Sequence, residues 1–125
     1  MATIAYPLRR SARTARALSA GERRALLVLL GIAAALTVLD GLSTIAWLEL
    51  GHAEANPLLA ALAGVVGPVP AMVVRIVVGI AFLALLATTI GRARLAPYAV
   101  VGVTGVLLGV GLWHGYGLLL HVGMT

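Results

Sequence analysis

The chain has 125 residues, of which 62% are hydrophobic and only 10% charged, with a formal net charge of +5 and a mean hydropathy of +1.09. A soluble domain carries about 25% charged residues and uses them to cover its surface, so this composition excludes a water-soluble globular domain and makes lipid the solvent. Cysteine is absent, which excludes disulfides and thiolate metal sites, and the length fits one domain.

Residues 1–20 show no apolar period and read as a basic cytoplasmic arm. All nine basic residues of the chain are arginine, and six of them (Arg9, Arg10, Arg13, Arg16, Arg23, Arg24) precede the first apolar run. A basic arm can bind nucleic acid. Next to a membrane span the plainer reading is a topology signal that contacts anionic lipid headgroups, with no nucleic acid involved. Ser19 and Glu22 then match the Ser-x-x-Glu capping box and place a helix start near Ala20.

The first span is expected over about residues 25–48. At 1.5 Å per residue, roughly 24 residues cover a hydrocarbon core of about 30 Å. Asp40 is its only charge. A cleaved signal peptide is the competing reading, with Ala53-Glu54-Ala55 imitating a cleavage site. The run is too long for an h-region of about 7–15 residues, and Asp40 interrupts it.

Asn56 and Pro57 suit the cap and first turn of a helix. That helix, about residues 57–66, is too short to span, and Gly67, Pro68 and Pro70 break it. It is expected at the interface, re-entrant, or continuous with the second span. The second span is expected over about 69–90, with Arg75 as its only charge, and the third over about 97–122, rich in glycine. Together these elements predict an all-α integral membrane bundle of three spans and one short helix, forming a single transmembrane domain over 21–125. Arg92 and Arg94 lie between the second and third spans, while the connection after the first carries Glu49, His52 and Glu54 and no arginine. The positive-inside rule therefore puts the N-terminus in the cytoplasm and the C-terminus outside. Trp47, Trp113 and Tyr116 fall towards the outer interface.

Asp40 is roughly 13 Å and Arg75 roughly 9 Å inside the outer ends of their spans. Each charge alone costs about 2.5–3.5 kcal/mol near a bilayer centre, so the two are expected to pair. Such a pair serves either as a structural staple or as a working site. Thr37, Asp40, Thr44 and Trp47 form one helical stripe with Ser43 beside it, which either packs against protein or lines a polar cavity. His52, Glu54 and Asn56 alternate along the connection and would point one way in an extended loop. With Asp40 or His114 they offer imidazole and carboxylate to a divalent cation, but the spacing matches no metal motif. The plainer reading has Asn56 as helix cap and Glu54 pairing with Arg75 from above. His114 also lies where it could approach Asp40. Gly105 and Gly109, and Gly111 and Gly115, form small-residue motifs for close helix contact, within the monomer or in a dimer.

An Asp and a Thr one turn apart (Asp40, Thr44), then Gly51, then Glu54-x-Asn56-Pro57, then Arg75 in the next helix: this pattern resembles a group of small prokaryotic multipass proteins classed only as a domain of unknown function. The resemblance covers about residues 25–90. It implies a membrane protein of three or four helices and no nameable activity.

The expected polar centre is thus Asp40, Thr44, Glu54, Asn56 and Arg75, with Ser43, His52 and His114 as secondary candidates and no metal or cofactor. The expected function is a non-enzymatic accessory or scaffold protein of the prokaryotic inner membrane, a homo-oligomer or part of a larger membrane complex. The alternative is a transporter or permease component that uses the polar centre as a substrate or ion site. An intramembrane enzyme is a third reading, for which no complete catalytic set is visible.

Overall fold

The computed structural model describes residues 17–123, so the expected basic arm lies outside the described residues as far as residue 16. The described residues form four helices: α1 (Ala20–Glu49), α2 (Pro57–Val66), α3 (Pro68–Thr89) and α4 (Ala96–Gly123). Of these, α1, α3 and α4 are long and apolar enough to cross a membrane. Large apolar side chains such as Leu39, Leu42, Val77, Val78, Leu85 and Leu119 face outwards. In water that surface would drive aggregation; in lipid it is solvated. The molecule is an all-helical integral membrane protein.

Local chemistry sets the helix ends. The Ser19 hydroxyl accepts from the Glu22 N–H at 3.2 Å, and the Ser19 N–H donates to the Glu22 carboxylate at 2.7 Å. Helix α1 therefore starts at Ala20, about five residues before its apolar run. Its other end closes as a Schellman motif: the Gly51 N–H donates to the Leu48 carbonyl and the His52 N–H to the Trp47 carbonyl, with Gly51 at φ 84°. The Asn56 side chain caps α2 by accepting from the Leu58 N–H at 3.0 Å, with Pro57 in the first turn.

Gly67, at φ 90°, separates α2 from α3. Only glycine takes that conformation without strain, and Pro68 restarts the helix. Helix α2 is therefore not continuous with the second span. At ten residues it covers only about 15 Å, it packs on α3, and it buries none of its residues.

Helix α1 lies between the other two long helices and packs on both, whereas α3 and α4 barely touch. The antiparallel register with α3 pairs Thr37 with Gly79 and Gly41 with Ile76. A Cβ on Gly79 or Gly41 would come within 2.8 or 2.6 Å of those neighbours. The parallel register with α4 sets Gly111 beside Leu36 and Gly117 under the Trp47 indole. The shared apolar core sits at one end, where Leu26, Leu30 and Ala33 meet Leu83, Ile90 and Val100. The Thr104 hydroxyl donates to the Val100 carbonyl of its own helix at 2.8 Å and lies 3.4 Å from the Leu29 carbonyl of α1. Every buried residue of α4 lies in its first third. Beyond it, α3 and α4 flank α1 with a gap between them.

The glycine motifs of α4 divide. Gly111 contacts Leu36, but Gly102, Gly105, Gly109 and Gly115 have no neighbour within 4 Å of a Cβ position. Close packing within the monomer uses Gly111 and Gly117 instead.

Candidate functional site

The close approach at Gly41 acts one residue away on each helix. With Ile76 against Gly41, Arg75 is carried to Asp40. Asp40, Gly41 and Thr44 are all buried. The Arg75 guanidinium donates to the Asp40 carboxylate through Nη2 and to the Thr44 hydroxyl through Nη1 at 3.2 Å. Thr44 in turn donates to the Asp40 backbone carbonyl at 2.8 Å. Thr44 thus bridges the guanidinium to the α1 backbone, and the charge is held by two side chains of one helical turn.

A third group reaches Asp40 from α4. His114 Nδ1 lies 2.8 Å from the other carboxylate oxygen, Oδ1. Neither atom has any other polar partner. Asp40 is therefore where all three long helices meet: its own, Arg75's and His114's.

Above this junction lies a cavity of about 540 Å³, inside the range of about 300–1,000 Å³ usual for small-molecule sites. Thr44 and Trp47 of α1, Arg75 of α3, and Val110, Trp113, His114 and Tyr116 of α4 form its walls. His52, Glu54 and Asn56 of the connection border it as well. The alternating residues of the connection do share one cavity, but Glu54 does not pair with Arg75 as expected. Its Oε1 accepts the Asn56 N–H at 2.8 Å, because the chain must turn there to start α2. Its Oε2 is buried without a partner. His52 packs edge-on to Trp47, with ring centroids 4.3 Å apart, and His121 joins the pair at 6.0 Å from His52. Ser43 is half-buried and does not line the cavity.

Among the described residues, the buried side-chain atoms without a hydrogen-bond partner are Asp40 Oδ1, Trp47 Nε1, Glu54 Oε2 and His114 Nδ1. All four belong to this one region. Asp40 Oδ1 and His114 Nδ1 face each other at 2.8 Å, whereas Trp47 and Glu54 line the cavity with Nε1 and Oε2 unpartnered; a buried polar group left unsatisfied costs about 1–3 kcal/mol, which marks this place as built for something other than packing. No group of three His, Asp or Glu among the described residues is placed to hold a metal ion.

The sequence gathers the polar residues and puts Trp47 on the stripe that could line a polar cavity, but offers Trp113 and Tyr116 only as interfacial aromatics. The signal for Trp47 was its place on the Asp40–Thr44 stripe. For Trp113 and Tyr116 no signal was present, because they enter the site through the rotation of α4.

A family model described as a domain of unknown function (DUF5658) matches residues 31–120. The match runs from the apolar part of α1 through most of α4, and so takes in the third span as well as the Asp40–Arg75 region. No curated protein and no solved structure matches the chain.

Proposed function

The chain belongs to the DUF5658 family, and from that premise we propose that it is a ligand-binding membrane protein of the transporter or permease-component kind. The cavity over Asp40 and Arg75 is its binding site. One observation carries the reading: a cavity of small-molecule size is lined by Arg75 of the buried ion pair and by Trp47 and Glu54, whose Nε1 and Oε2 are buried without a hydrogen-bond partner. A purely architectural ion pair needs no such cavity, and a structural staple is better served by closed packing around it. Arg75 keeps the site's charge in place, and the connection from His52 to Asn56 acts as its cover.

The test is a stabilisation screen on the purified full-length protein, with solutes of cationic, anionic, zwitterionic and neutral class. A binding solute raises the unfolding temperature by mass action. Val110→Phe narrows the cavity from α4 without touching the ion pair, and should abolish that rise while the protein stays folded. If no solute of any class stabilises the wild type, the reading is wrong.

The accessory or scaffold role has separate support in the open face of α4. Gly102, Gly105 and Gly109 lie on it with no neighbours, and small residues let a second helix approach closely in lipid. A second copy of the chain is the partner this face suits. Gly105→Leu with Gly109→Leu should then convert an oligomer to a monomer in cross-linking of native membranes; unchanged cross-links would remove this support.

For orientation we adopt the arginine asymmetry. The end bearing Arg23, Arg24, Arg92 and Arg94 faces the cytoplasm, the arm of residues 1–20 contacts anionic headgroups, and the cavity faces outwards in a prokaryotic inner membrane.

A further inference from the structure

We infer that the cavity takes a monovalent organic cation: an ammonium group with an apolar body. The inference rests on the proposed ligand-binding function and adds the ligand's charge and class.

The first argument is charge balance. Two carboxylates, Asp40 and Glu54, and one guanidinium, Arg75, stand at the site, and the imidazoles of His52 and His114 line it. The Arg75 guanidinium is engaged by Asp40 and Thr44, so the charge left over is that of Glu54. Among the described residues Arg75 is the one arginine that lines the cavity, and Asp40 and Thr44 take it up. A ligand carrying one positive charge pairs with the Glu54 carboxylate; an anion is repelled by it.

The second argument is what faces the ligand. Glu54 Oε2 is a buried acceptor with no donor. Trp47, Trp113 and Tyr116 border the same space, Trp113 and Tyr116 at its exposed rim, and aromatic rings there attract a cation. Val110 and the remaining aliphatic wall suit an apolar body. The third argument is access. The cavity lies where α3 and α4 part on either side of α1, so an amphiphile can enter sideways from lipid.

The same ammonium chemistry is found on a free amine and on an ethanolamine lipid headgroup. The probe is benzyltrimethylammonium, added to the full-length protein in nonionic detergent. Emission from Trp47 and Trp113, the two tryptophans of the chain, reports binding directly. The expected result is a saturable change with the ammonium, at least tenfold weaker binding of benzenesulfonate and of benzyl alcohol, and at least tenfold loss of ammonium affinity in Glu54→Gln. Charge selectivity in the wild type decides the matter even if that variant does not fold.

Benzenesulfonate binding as tightly as the ammonium, or a folded Glu54→Gln variant binding the ammonium unchanged, overturns the inference. In the first case a Val110→Phe-sensitive sulfonate signal would leave the ligand-binding function standing; no response to any probe overturns both. A repeat in phosphatidylglycerol nanodiscs, with and without phosphatidylethanolamine, separates the sources. Competition by the ethanolamine lipid assigns the headgroup, and undiminished binding assigns a free amine.

Discussion

Asp40 and Arg75 share one ion pair but not one environment: the Asp40 side chain is 4% exposed and that of Arg75 32%. Asp40 sits on the face of α1 that meets both neighbouring helices, while the guanidinium reaches the cavity wall. Losing Arg75 leaves the buried Asp40 carboxylate with His114 alone beside it, and removing one partner of a buried pair costs about 3–5 kcal/mol. Losing Asp40 leaves a guanidinium that keeps Thr44 and can turn towards the cavity, so the cost is smaller. Arg75→Gln should therefore lower the unfolding temperature in detergent more than Asp40→Asn. The double variant should recover most of the Arg75→Gln loss, which a four-protein cycle measures. Purely additive losses would mean that the two side chains are not coupled.

Two glycines should respond oppositely to alanine. At Gly41 a Cβ would lie 2.6 Å from both Ile76 Cγ1 and Cδ1. The stiff β-branched side chain cannot move aside without a new rotamer. Overpacking of this kind costs about 1–3 kcal/mol, and it would also push Arg75 away from Asp40. At Gly109 nothing lies within 4 Å, and alanine in a helix interior gains about 0.5–1 kcal/mol over glycine. Denaturant titration of the two variants should show a loss for the first and a small gain or no change for the second.

Asn56→Ala removes the side-chain cap of α2 but leaves the backbone N–H that Glu54 accepts. The expected loss is about 1 kcal/mol, confined to the start of α2. Faster hydrogen exchange at Leu58 and its neighbours, with α1 and α4 unchanged, is the measurement. A uniform loss of protection would mean that α2 is required by the whole bundle.

The absence of cysteine makes the topology easy to test. A single cysteine at His52 should react with a membrane-impermeant maleimide added to intact cells, and one at Ala93 only after the membrane is opened. The reverse pattern would invert the proposed orientation.

Much of the fold was legible because lipid imposes simple demands. The Ser19–Glu22 box, Asn56-Pro57 and Gly67-Pro68 marked helix ends through backbone hydrogen bonding, and span lengths followed from bilayer thickness. Asp40 and Arg75 pointed to each other because a lone charge at that depth is too costly. The connection was read less well: Glu54 was assigned to Arg75, when the turn into α2 claims one of its oxygens for Asn56.

The sequence by itself determined the solvent, the helices and the need for an Asp40–Arg75 contact, since all three follow from local hydrogen bonding and the cost of bare charge in hydrocarbon. Only the tertiary structure decided what surrounds that contact. The placement of His114 on Asp40, of Trp113 and Tyr116 at the cavity, and of Glu54 Oε2 without a donor depends on how far α3 and α4 diverge and how α4 is rotated on α1. Those angles are set by close contacts such as Gly117 under Trp47. Helical periodicity gives a residue its face on a helix, but which neighbour that face meets is settled only when the helices pack.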